Sequence, residues 1–65
     1  MNIKVKNLKT GEEKLYNHKM LIKKLIKRGR LQPEEREKFY KNPTDLVKRL
    51  NIFKKIEFFE YIIVK

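Results

Sequence analysis

No cysteine occurs in this 65-residue chain, so nothing covalent can hold it folded and no thiolate can recruit a structural metal. A chain of this length buries only about 60% of the surface that its unfolded form exposes. Its fold must therefore rest on one small core, built from apolar residues that make up 40% of the composition. Residues 1–65 are expected to form a single small basic domain. Charged residues account for another 40%, a level at which disorder has to be weighed. Two features argue against disorder. The apolar residues are periodic where they occur, and the closing run Ile56–Val64 is too apolar and aromatic to stay solvated.

Residues 2–17 read as a β-hairpin. Ile3 and Val5 alternate with Lys4 and Lys6, the period-two pattern of a half-buried strand. Lys9-Thr10-Gly11 supplies the turn, with Gly11 in the left-handed position of a bulged three-residue loop. That loop pairs Val5 with Leu15 and Ile3 with Asn17, which puts Ile3, Val5 and Leu15 on one face. A two-residue Thr10-Gly11 loop would pair Val5 with Tyr16 and turn Leu15 outward. The three-residue loop keeps the apolar face more coherent and is preferred. Lys4, Lys6, Lys14 and Tyr16 then share the solvent face.

Residues 18–28 read as an amphipathic helix with Asn17 as its N-cap and Gly29 as its stop. Leu21, Ile22, Leu25 and Ile26 fall on one face, with His18 nearby. Lys19, Lys23, Lys24, Lys27 and Arg28 occupy the rest of the circumference. A second short helix is expected over 33–41. Pro33 suits its first position, and its glutamates and lysines are ordered to match the helix dipole. Asn42-Pro43-Thr44-Asp45 opens a third, with Asn42 as N-cap.

Residues 53–64 fit two periods. Ile52, Ile56, Phe59 and Ile63 make a helical stripe, whereas Ile56, Phe58, Ile62 and Val64 share one face of a strand. The closing Tyr-Ile-Ile-Val is β-branched and aromatic, which favours strand, and a lone hairpin needs a third strand or a covering helix. The expected architecture is α+β in the order β-β-α-α-α-β. An N-terminal hairpin is followed by two to three short helices, and a C-terminal strand completes a three-stranded antiparallel or mixed sheet.

The chain carries 18 basic and 8 acidic side chains, a formal net charge of +10. AT-rich coding also yields a mixture rich in Lys, Ile and Asn, so position says more than total. Residues 1–30 hold 10 basic and 2 acidic side chains, and residues 31–65 hold 8 and 6. The excess lies in the hairpin and first helix. A helix with one apolar face and a Lys/Arg-rich remainder suits a nucleic-acid backbone, where each neutralised phosphate releases counterions. The expected contacts are Lys19, Lys23, Lys24, Lys27, Arg28 and Arg30, with Lys4, Lys6 and Lys14 alongside and Tyr16 as a stacking ring.

Thr44-Asp45-Leu46-Val47-Lys48-Arg49-Leu50-Asn51-Ile52 resembles the first helix and turn of bacterial helix-turn-helix domains. That resemblance implies a polar recognition helix next. The run Phe53–Glu60 instead carries three aromatics and two acids, and it departs from the pattern.

Catalysis is not expected. The chain has no serine and a single histidine, His18, and no pair of carboxylates is set up by spacing as an acid and base. No cofactor or metal is expected. No apolar run approaches the roughly 20 residues of a membrane span, and the N-terminus lacks the apolar core of a signal peptide. A cytoplasmic location and no membrane partner are expected. Phe59, Tyr61 and Ile63 would form a row on one face of the last strand; exposed, that row would seek a partner or a second copy of the chain.

The reading is a small basic nucleic-acid-binding accessory protein of phage or mobile-element type, acting on a DNA or RNA backbone through electrostatics. The alternative is a small phage-type protein that binds and modulates a host protein through the aromatic strand or the basic helix.

Overall fold

The computed structural model describes residues 1–64. Strand β1 (Asn2–Asn7) and strand β2 (Glu13–Asn17) form the hairpin, and helix α1 (His18–Lys27) follows without a break. A 3-10 turn (Pro33–Glu35) leads into α2 (Arg36–Lys41) and then α3 (Pro43–Asn51). A single helical turn, α4 (Lys54–Glu57), precedes strand β3 (Phe59–Val64). The sheet has the order β2-β1-β3, and both pairings are antiparallel. The fold is α+β, as the sequence implies.

The hairpin register differs from the expected one. The loop has four residues, Leu8–Gly11, closed by Asn7 N–H donating to the Glu12 carbonyl at 2.8 Å and Gly11 N–H donating to the Asn7 carbonyl at 2.7 Å. Asn7 shapes it further, since its Oδ1 accepts from the N–H of Lys9 at 2.9 Å and of Thr10 at 3.3 Å. This Asx turn sets the loop length, and Gly11 closes it at φ 77. Ile3 therefore pairs with Tyr16 and Val5 with Lys14. A slip of one residue exchanges the faces of a strand. Leu15, expected in the core, is 60% exposed. Tyr16 and Lys14, expected on the solvent face, turn to the inner face beside Ile3 and Val5.

The third strand completes two sets of cross-strand rows. On the inner face, Tyr16–Ile3–Ile63 is followed by Lys14–Val5–Tyr61. On the outer face, Leu15–Lys4–Ile62 is followed by Glu13–Lys6–Glu60. The row Phe59, Tyr61 and Ile63, weighed as an exposed patch, thus faces the helices. Tyr61 is buried, and Phe59 and Ile63 are half-buried.

Helix α1 forms as its residues require. Asn17 Oδ1 accepts from Lys19 N–H at 3.0 Å. Gly29, at φ 76, ends the helix: its N–H reaches Ile26 O at 3.0 Å, and Arg30 N–H reaches Leu25 O at 2.8 Å, the paired bonds of a Schellman cap. Asn42 precedes α3 without a side-chain cap bond; its amide instead turns back toward the Lys38 carbonyl at 3.5 Å. After α3 comes only the single turn α4. Phe58 then takes the left-handed conformation at φ 63, which redirects the chain into β3. Among the described residues no recognition helix follows α3, so the helix-turn-helix resemblance ends there. The strand begins at Phe59, later than the sequence stripe implied.

Ile3, Leu21, Ile22, Leu25, Leu31, Phe39, Leu46 and Tyr61 make one buried cluster. His18, also buried, ties the first turn of α1 to the chain around it through ring nitrogens 3.1 Å from Met1 O and 3.2 Å from Tyr40 O. Strand β3 lies at an edge of the sheet. Asn51 of α3 covers that edge: its Nδ2 donates to Tyr61 O at 2.9 Å and its Oδ1 accepts from Tyr61 N–H at 2.8 Å.

Arg49 of α3 donates a hydrogen bond to Glu35 in the 3-10 turn. That bond, more than any other contact, holds the Glu35 carboxyl below its ordinary pKa of 4.5. A carboxylate depressed in the folded state adds stability above its unfolded pKa and loses it as the pH falls through the folded value. Stability to urea is expected to drop on acidification below 4.5. In Glu35→Gln that part of the acid dependence should vanish, read as a flatter plot of unfolding midpoint against pH.

Candidate nucleic-acid interface

The covering helices leave one end of the inner sheet face open. A cleft of about 250 Å³ lies there, between the hairpin end of the sheet and the last turns of α1. Its floor is apolar, from Val5, Leu21, Leu25, Phe59 and Tyr61. The exposed Lys14, Lys24, Arg28 and Arg30 line its mouth, with half-buried Tyr16 and, from the two ends of the hairpin loop, Asn7 and Glu12.

Two elements bring these groups together. Leu21, Lys24, Leu25 and Arg28 are spaced i, i+3, i+4 and i+7 on α1, which places them on one helical face. The register of the hairpin supplies Lys14 and Tyr16 from β2. The Schellman cap then turns Arg30 back over the same end of the sheet.

The charges converge on the rings. Lys24 Nζ lies 4.8 Å from the centroid of the Tyr16 ring, within cation–π range. Burial pushes the Tyr61 hydroxyl above its ordinary pKa of 10.0, while Arg30 and Arg28 pull it the other way. Arg30 pairs with Glu57 of α4, and Lys14 pairs with Glu12 at 3.9 Å. Lys24 and Arg28 join no ion pair among the described residues and leave the rim with two uncompensated cations.

The residues singled out in the sequence separate into groups. Lys14, Tyr16, Lys24, Arg28 and Arg30 meet at the cleft. Lys23 and Lys27 are exposed on α1 but do not line it. Lys19 lies at the other end of α1, 5.7 Å from the ring centroid of Tyr40. Lys4 and Lys6 lie on the opposite face of the sheet. There Lys4 pairs with Glu13 at 3.6 Å, and Lys6 stands between Glu13 and Glu60 in the strand register. That face is close to charge balance, and it sets these two lysines apart from the cleft. Phe59 and Tyr61, singled out as partner contacts, line the cleft, and Ile63 is half-buried outside it.

Sequence reasoning passed over Asn7, Val5 and Phe59 as parts of a cleft. The one local signal was Asn7 four residues before Gly11, the seed of the four-residue loop. Sequence reasoning also missed where the exposed apolar surface would lie. Ile52 is 72% and Ile56 is 74% exposed, one turn apart where α3 gives way to α4, with Phe53 exposed beside them.

Among the described residues, no cluster of three or more His, Asp or Glu side chains is placed to hold a metal ion, and no helix is long and apolar enough to cross a membrane. No protein-family model, curated protein or solved structure matches the chain.

Proposed function

We propose that this protein binds nucleic acid at the α1–hairpin cleft, as a small accessory protein of phage or mobile-element type. The observation that carries the reading is the meeting of Lys14, Lys24, Arg28 and Arg30 around an aromatic-lined cleft. A polyanion gains most where several cations converge, because each neutralised phosphate frees a condensed counterion. The remaining exposed cations of α1, Lys23 and Lys27, extend the same positive field along the helix and steer the ligand toward it.

The test is binding of a labelled oligonucleotide across a series of salt concentrations. Affinity is expected to fall linearly on a log–log plot, with a slope of about −3 for four contacts on a single strand. Binding that is indifferent to salt, or absent at low salt, would refute the reading.

A second reading is supported by a separate observation, the exposed apolar turn of Ile52, Phe53 and Ile56. It is the modulation of a host protein, docked at that turn instead of the strand face considered from sequence. A partner retained in a pull-down after nuclease treatment, and released by Ile52→Ser with Ile56→Ser, would favour it.

A further inference from the structure

We infer that the cleft selects single-stranded nucleic acid by taking one unpaired base against the Tyr16 ring; this rests on the nucleic-acid reading above. The rim cations alone would serve any polyanion, duplex included. The floor does not. Val5, Leu21, Leu25, Phe59 and Tyr61 line it as buried or half-buried side chains while the cations beside them are exposed, and phosphate gains nothing from such an apolar surface. A duplex keeps its bases stacked inside and offers phosphates to a protein surface. An unpaired base has a free π-face that stacks on aromatic side chains without regard to sequence. The recess, of about 250 Å³, is open enough to receive one planar group, and its rings come from two different strands, β2 and β3.

Lys24 gives the arrangement its working detail. Its ammonium rests over the Tyr16 ring at 4.8 Å, the position in which a cation waits on an aromatic face. A base entering the cleft displaces Lys24 from that face, and the freed ammonium meets the phosphate next to the base. Arg28, one turn farther along α1 and also outside any ion pair among the described residues, takes the next phosphate. Stacking and phosphate contact are thus coupled through one side chain.

The experiment compares a labelled oligothymidylate of about 12 nucleotides, within the site range of small single-strand binders, with a duplex of equal length. Single-strand binding is expected to be tighter by about tenfold or more. The chain has no tryptophan and three tyrosines, so the single strand is expected to quench the Tyr16 share of their emission, the part that Tyr16→Phe removes, while the duplex does not. Tyr16→Leu keeps apolar bulk at the half-buried site but removes the ring. It is expected to cost about tenfold on the single strand and clearly less on the duplex, which has no free base to stack. Tyr16→Phe is expected to retain binding, which separates loss of stacking from loss of folding. Equal affinity for the two oligonucleotides, or a Tyr16→Leu effect of equal size on both, would overturn the single-strand inference while leaving electrostatic binding in place. No binding of either at low salt would overturn both.

Discussion

Replacement of Phe39 by alanine is expected to abolish cooperative folding. Phe39 is 1% exposed, among the largest fully buried side chains, and it sits in the single core cluster formed by the described residues. Truncating a buried phenylalanine to alanine costs about 3–5 kcal/mol, part transfer and part cavity. A cysteine-free domain of this size has only roughly 3–5 kcal/mol to lose. The two magnitudes match, so the variant should lose its sigmoidal thermal transition by circular dichroism. Phe39→Leu, which leaves a smaller void, should unfold cooperatively at lower temperature. Ile52→Ala is the control: the side chain is 72% exposed, and a surface change of that kind stays within about 0.5 kcal/mol. A cooperative Phe39→Ala with a midpoint near that of the unaltered protein would contradict the core described above.

Removing the charges of Lys24 and Arg28 together is expected to weaken nucleic-acid binding by roughly tenfold to a hundredfold at low salt, and to halve the salt slope. These are the rim cations that no carboxylate compensates among the described residues. The matching control is Lys4→Gln with Lys6→Gln, which changes net charge by the same amount. Those lysines lie on the far face of the sheet beside Glu13 and Glu60, so little change in affinity is expected. The comparison separates a site from a bulk charge effect. If binding followed only the formal charge of +10, both double variants would weaken it equally, and the cleft would have no special role.

Much of the fold could be read directly from the chain. Asn17 and Gly29 bracket α1, and the apolar stripe of α1 is buried where its spacing put it. The β-branched end of the chain is a strand. These features are local: caps and periodicities act over a few residues, and the sequence displays them directly. Half of the candidate site was legible for the same reason. Lys24, Arg28 and Arg30 stand out because they sit on or just after one helix.

What the sequence could not decide was which face β2 and β3 turned inward. A strand repeats every second residue, so one added loop residue exchanges its faces. Lys14 and Tyr16 were read as solvent-facing because a three-residue loop kept Leu15 with Ile3 and Val5. The side chain of Asn7 instead closes a four-residue loop, and Tyr16 and Lys14 turn toward α1. Burial of Leu15 is given up, and Tyr16 packs against the core in its place. The sequence by itself determined the elements, their order and the excess of charge in the hairpin and first helix. The tertiary structure alone decided that Lys4 and Lys6 are set apart beside glutamates, that the aromatic row faces inward, and that four cations meet over it. The reason is that the facing of strands depends on loop length and on packing between distant segments, and neither leaves a local trace.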